Sequence, residues 1–93
     1  MAKAIRTEAE RKLQSVCAGL KATIKRLESS IKTQNRILDK QRANLNRLEA
    51  KPVPDTAQIN ALKQTISQSE DDLQKSEETL ILLNKNFSEN CSS

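Results

Sequence analysis

Residues that suit a packed seam recur along this chain at alternating spacings of three and four, in two stretches separated by Pro52 and Pro54. Such a heptad spacing is typical of helices that pack along a coiled-coil seam. The first stretch has these positions: Cys17, Leu20, Ile24, Leu27, Ile31, Gln34, Leu38, Gln41, Leu45 and Leu48. The second has these: Ile59, Leu62, Ile66, Ser69, Leu73, Ser76, Leu80, Leu83, Phe87 and Asn90.

Folding the chain back at the prolines places each position of the first stretch opposite one of the second, from Leu48 and Ile59 near the turn to Cys17 and Asn90. We therefore predict an all-α fold, a long antiparallel two-helix coiled-coil hairpin formed by residues 1–93 as one domain. Because Pro52 disfavours helix before it and Asp55 suits a helix N-cap, we predict helices at about 3–50 and 56–88. A proline turn at 51–55 and a frayed tail at 89–93 complete this prediction. The same pairing made between two chains, as in a domain-swapped dimer, is the competing architecture.

The seam is uneven in polarity. Five layers are apolar on both sides, but four central layers pair one apolar residue with one polar residue. Those four are Gln41/Ile66, Leu38/Ser69, Gln34/Leu73 and Ile31/Ser76. Polar seam residues lower stability while restricting register and oligomeric state. Alternatively, the middle of the hairpin is a weak zone that bends or admits a partner helix.

Charge differs between the two halves. Residues 1–50 carry 12 basic and 5 acidic side chains, whereas residues 51–93 carry 4 basic and 7 acidic ones. A basic helix therefore lies along an acidic one, which favours their antiparallel pairing. We also expect Arg42 to approach Glu70 and Glu49 to approach Lys63 across the seam.

Five apolar residues are candidates for contacts with another protein. The first helix is longer than the second, so its first turns have no facing segment, yet apolar residues recur there at helical spacing. Ile81 and Leu82 must point outward because Leu80 and Leu83 fill the seam, and Ile37 also lies on its flank. We predict that Ile5, Leu13, Val16, Ile81 and Leu82 are protein-interaction residues. Two hairpins packed as a homodimeric four-helix bundle would cover them.

The two cysteines, Cys17 and Cys91, allow two interpretations. Cys17 lies at a seam position and would serve as a small core residue. Alternatively, a disulfide between Cys17 and Cys91 clamps the open end of the hairpin. We expect an intracellular, cytoplasmic protein, because the N-terminus lacks the apolar core of a signal peptide and no stretch approaches a membrane span. Such a compartment disfavours a disulfide.

The residues favour interaction over catalysis. Without histidine or a glycine-rich phosphate loop, we expect no enzyme, no metal, no cofactor and no small-molecule substrate. We predict a structural scaffold or adaptor module that acts through self-association or by binding a partner protein. One alternative is a basic surface for nucleic acid or an anionic membrane, carried by Lys25, Arg26, Arg36 and Arg47. Another is an effector-type hairpin that recognises a small GTPase or other regulatory protein.

Overall fold

Two long antiparallel helices form the molecule. The structure is a computed structural model and describes residues 8–91: α1 is Glu8–Glu49 and α2 is Thr56–Asn90. At about 1.5 Å per residue, the 42 residues of α1 span roughly 63 Å, and the hairpin is 17 × 16 Å across. The predicted all-α hairpin is therefore confirmed. The predicted start of the first helix near Lys3 lies outside the described residues, as does Ile5.

The turn follows the proline chemistry of the sequence. The last turn of α1 tightens where the Lys51 amide donates to the Leu48 carbonyl at 3.4 Å, and Pro52 then prevents the helix from continuing. Asp55 is the N-cap of α2, and its Oδ1 accepts a hydrogen bond from the Gln58 amide at 3.1 Å. That bond satisfies one of the unpaired amides at the start of α2.

Burial follows the heptad positions of both helices. All ten predicted seam positions in α1 are buried or half-buried, and so are those of α2 from Ile59 to Phe87. The prediction for the last layer is wrong: Asn90 is exposed, and Cys91 is half-buried instead. Since two helices cover only one stripe of each other, most seam side chains stay partly exposed. Among the described residues, the buried ones are Ile24, Leu38, Ile59 and Ile66.

The centre of the seam combines tight burial with poor hydrogen bonding. Leu38 is 2% exposed and Ile66 is 6% exposed, although both lie in layers with a polar partner. Apolar packing is therefore tightest in the polar zone. However, Oε1 of Gln34 and Oε1 of Gln41 are buried without a hydrogen-bond partner. An unsatisfied buried acceptor costs about 1–3 kcal/mol, so the weakness of this zone is in its polar groups.

Ion pairs do not hold the two helices together at the predicted places. Neither Arg42 with Glu70 nor Glu49 with Lys63 forms an ion pair within 4.0 Å, so that prediction is wrong. In each case the partners are offset by five residues, or about 7.5 Å, along the hairpin. Exposed side chains gain too little from pairing, typically under about 1 kcal/mol, to reach across such an offset.

A disulfide closes the open end of the hairpin. Cys17 and Cys91 are joined, with their Cα atoms 5.7 Å apart, inside the usual range for such a bond. The tail does not fray at residue 89 as predicted, since α2 continues to Asn90. The Cys91 amide donates to the Phe87 carbonyl at 2.8 Å and completes the last turn. The last turn of α2 therefore leads directly into the disulfide-bonded Cys91.

Candidate interaction surfaces

The apolar residues predicted to contact a partner are exposed wherever the structure describes them. Leu13 and Val16 are 51% and 63% exposed, and Ile81 and Leu82 are 67% and 65% exposed. Ile5 lies outside the described residues. Side chains this large, left in water, are candidates for intermolecular contact when they cluster.

The structure does not bring these residues into one patch. Leu13 and Val16 precede Cys17 and lie at the open end of α1, where α2 has nearly ended. Leu82 lies level with Lys25, nine residues from Val16, which is about 14 Å along the axis. The exposed apolar residues at the open end of α1 are therefore separate from those on α2.

Ile81 and Leu82 also point to different sides of the hairpin. Leu82 lies three residues after Thr79 and four before Asn86, on one flank of the α2 seam. Ile81 lies four residues after Glu77 and three before Asn84, on the other flank. Residues three or four apart share a helix face, so the two neighbours belong to opposite flanks.

One side of the hairpin carries a row of surface grooves, and we call it the groove side. The flanking residues there come one position before every second seam residue, counted from Cys17 in α1 and from Ile59 in α2. In α1 they are Val16, Thr23, Ser30, Ile37 and Asn44; in α2 they are Gln58, Thr65, Asp72, Thr79 and Asn86. Three grooves run along this side, and the one nearest the turn has a volume of about 550 Å³. Their walls include Asn44 and Thr65, Ile37 and Asp72, and Ser30 and Thr79.

The opposite side, which we call the charged side, has flanking residues one position after every second seam residue, counted from Leu20 in α1 and from Leu62 in α2. In α1 they are Lys21, Glu28, Asn35, Arg42 and Glu49; in α2 they are Lys63, Glu70, Glu77, Asn84 and Cys91. Seven of these ten are charged, against one of ten on the groove side. Sequence reasoning noticed Ile37 on its flank but missed this contrast between sides. Comparing the residues before Cys17, Ile59 and every seventh position after them with those after Leu20, Leu62 and every seventh position after them would reveal it.

The four basic residues of the alternative interpretation are exposed but divided. Lys25, Arg26, Arg36 and Arg47 all lie in α1 with exposed side chains. Arg47 lines the groove nearest the turn and Arg26 lines the one nearest the open end. Lys25 and Arg36 lie away from the groove side. A phosphate backbone would therefore meet a dispersed set of cations without aromatic side chains for base stacking, since Phe87 is the chain's sole aromatic residue and belongs to the seam.

Within residues 8–91, no group of three or more histidine, cysteine, aspartate or glutamate side chains is arranged to hold a metal ion. Neither described helix combines the length and apolarity needed to cross a membrane. No protein-family model matches this chain, and no curated protein or solved structure is significantly similar to it.

Proposed function

We propose that this chain is a non-enzymatic interaction module, a scaffold or adaptor that acts through self-association. The observation that carries the proposal is an imbalance in burial. Only four described side chains are buried, whereas Leu13, Val16, Ile37, Ile81 and Leu82 are between 46% and 67% exposed. A chain that leaves this much aliphatic surface in water gains stability when another helix covers it.

The size of the hairpin supports the same proposal. A single seam between two helices gives a small core, and small cores are commonly completed by oligomerisation, a disulfide or a metal. This chain already has a disulfide at one end of the seam. Association would supply the burial that the remaining length of the seam lacks.

Light scattering on a sizing column, at several concentrations, tests the proposal. The double variant Ile81→Ser with Leu82→Ser should reduce the oligomeric fraction while leaving helicity, measured by circular dichroism at 222 nm, nearly unchanged. Gln74→Ser with Lys75→Ser is the matched control, because these residues occupy the equivalent two positions one heptad earlier. The control should leave the mass unchanged.

Two outcomes would contradict the proposal in different ways. A wild-type chain with monomeric mass at every concentration would exclude self-association. Loss of helicity in the Ile81 and Leu82 variant would mean that these residues belong to the hairpin's own core.

A basic interaction surface is the second candidate, supported by the exposed cations of α1. Its binding to nucleic acid or anionic vesicles would weaken steeply with added salt, because phosphate contacts release condensed counterions. Replacing Lys25, Arg26, Arg36 and Arg47 together with glutamine should abolish such binding. Unchanged binding in that variant would exclude this surface.

The compartment is a further part of the proposal. The sequence predicts an intracellular location, whereas a disulfide is typical of oxidising compartments. Rapid alkylation of thiols in intact cells, followed by mass analysis, would decide between them. Blocked Cys17 and Cys91 would support the reducing interior, and an unmodified pair would oppose it.

A further inference from the structure

The groove side of the hairpin has the character of an incomplete helix interface. Its ten flanking residues include one charge, Asp72, and two exposed aliphatic side chains, Val16 and Ile37. Leu82 borders the same side from α2. In four-helix bundles each helix buries its seam positions and one adjoining flank, whereas a two-stranded coiled coil buries the seam alone. Flanks that carry one charge in ten residues therefore fit a bundle better than the flanks of the charged side do.

Partly exposed seam residues add an apolar floor to this side. Leu48 and Leu62 line the groove near the turn, and Leu27 and Leu83 line the groove nearer the open end. All four are half-buried. A second layer of helices laid over the groove side would remove these leucines from water together with the flanking residues. The charged side offers no comparable gain, because its flanks would bury seven charges.

We infer that the groove side is the docking surface for a second copy of this chain. Two hairpins pack groove side to groove side around a two-fold axis that runs along the bundle, so both turns lie at the same end. This inference rests on the proposed self-association and specifies which surface and which orientation it uses. Each α1 then lies between its own α2 and the α2 of the partner, antiparallel to both.

The available area is large enough for a stable dimer. The chain exposes 7494 Å² in total. If the hairpin is treated as a rod with four equal sides, each side exposes roughly a quarter of this area, or about 1,900 Å². A standard stable interface buries about 800 Å² of each partner. Even half of that side would meet the requirement.

Charge distinguishes the two possible orientations of a second copy. The outer edge of each helix on the groove side consists of the residues three positions after, or four before, its flanking residues. In α1 this edge carries no acidic residue and four basic ones, Lys12, Arg26, Lys40 and Arg47. In α2 the edge carries Lys75 and Glu89, and the flank beside it carries Asp72. A two-fold axis perpendicular to the helices would pack α1 against the α1 of the second copy. The four basic residues of one copy would then face the same four basic residues of the other. The axis along the bundle sets the basic edge of α1 against α2 instead. The first arrangement opposes basic residues alone, whereas the second opposes them to a set with two acidic residues and one basic residue, which is electrostatically the more favourable.

A pair of matched single substitutions tests the surface. Ser30→Glu places a carboxylate on the groove side, where it would be buried against the partner, and Asn35→Glu places one on the charged side. Both residues are exposed in the single hairpin. Asn35→Glu is the harsher change for the hairpin itself, since Glu70 lies on the facing flank and Ser30 faces the neutral Thr79. We expect Ser30→Glu to raise the dimer dissociation constant at least tenfold, and Asn35→Glu to change it less than twofold, with helicity retained in both.

A distance measurement tests the orientation. Val53 in the turn is 85% exposed, and the thiol introduced by Val53→Cys is free for a nitroxide label while Cys17 and Cys91 are joined. With both turns at one end, the labels would lie within about 30 Å, since neighbouring helices are about 8–10 Å apart. With turns at opposite ends they would be separated by about the length of α2, roughly 50 Å. Pulsed electron paramagnetic resonance, which measures the distance between two nitroxide labels, distinguishes the two orientations.

The outcomes separate this inference from the proposed function. A dimer that tolerates Ser30→Glu overturns the groove side as the interface, while self-association itself stands. A dimer weakened by Asn35→Glu instead assigns the interface to the charged side and also overturns the inference. A label distance near 50 Å overturns the orientation. A wild-type monomer at all concentrations overturns the inference and the proposed self-association together.

Discussion

Removing the disulfide by Cys17→Ser with Cys91→Ser should lower stability more than any single surface change. The bond joins residues 74 positions apart in sequence, so it closes nearly the whole chain into one loop. In the chain-entropy description, closing a loop of this length in the unfolded state contributes about 4.5 kcal/mol. That is comparable to the full stability of many small domains, about 5 kcal/mol at the low end.

Urea unfolding followed at 222 nm would measure the effect. For an m value of about 1–2 kcal/mol per M, a loss of that size lowers the unfolding midpoint by about 2 M urea or more. The wild-type chain in a phosphine reductant is the matched control, because it opens the loop without changing the Cys17 side chain. Reduced wild type and the double serine variant should therefore have similar midpoints, both well below that of the oxidised chain.

Two results would refute this reasoning. If alkylation followed by mass spectrometry showed free thiols in the untreated protein, the bond would be absent. If the bond were present and the oxidised and reduced midpoints coincided, loop closure would contribute nothing to stability. A serine variant far below the reduced wild type would assign the effect to lost packing of Cys17 in the seam.

Four further substitutions have smaller expected effects, each measured by urea or thermal unfolding. Gln34→Leu and Gln41→Leu should each raise the free energy of unfolding by about 1–2 kcal/mol, because each removes a buried Oε1 that has no hydrogen-bond partner. An unchanged or lower free energy of unfolding would mean that ordered water satisfies these oxygens. Gly19→Ala should add about 0.5–1 kcal/mol to the free energy of unfolding, since a Cβ there meets nothing within 4 Å and α1 loses a flexible residue. A decrease in stability would mean that another chain packs against this position. Asp55→Ala should cost about 1 kcal/mol by removing the N-cap bond to Gln58, and Asp55→Asn, as control, should retain most of it.

The fold could be read from the sequence because one physical rule, the heptad period, acts along the whole chain. Alternating spacings placed Leu38 and Ile66 in the seam, and both are buried. The rule works less well at the ends, where no further layers fix the rotation of the helix. There the covalent bond to Cys17 brings Cys91 inward, and Asn90 turns outward to hydrogen-bond with Asn86.

The candidate surface was harder to predict, because it depends on which flank each residue joins. Exposure of Ile81 and Leu82 followed from the seam positions of their neighbours. Their separation onto different sides needed the positions of Glu77 and Thr79 as well. The groove side is distinguished by flanks with one charged residue in ten, and this feature is recognised only when the flanks of both helices are compared.

The disulfide and the proposed second copy would stabilise the same hairpin in different ways, and dilution separates them. The bond between Cys17 and Cys91 acts within one chain, so its contribution does not depend on concentration. Association stabilises by mass action and is lost below the dissociation constant. An oxidised chain diluted to monomer should therefore keep its helicity. A reduced one should lose it on dilution, because only four buried side chains within residues 8–91 then hold the two long helices together. If the helicity of the reduced chain does not change on dilution, the seam alone is enough to stabilise the fold. Association with a second copy would then not be needed for stability.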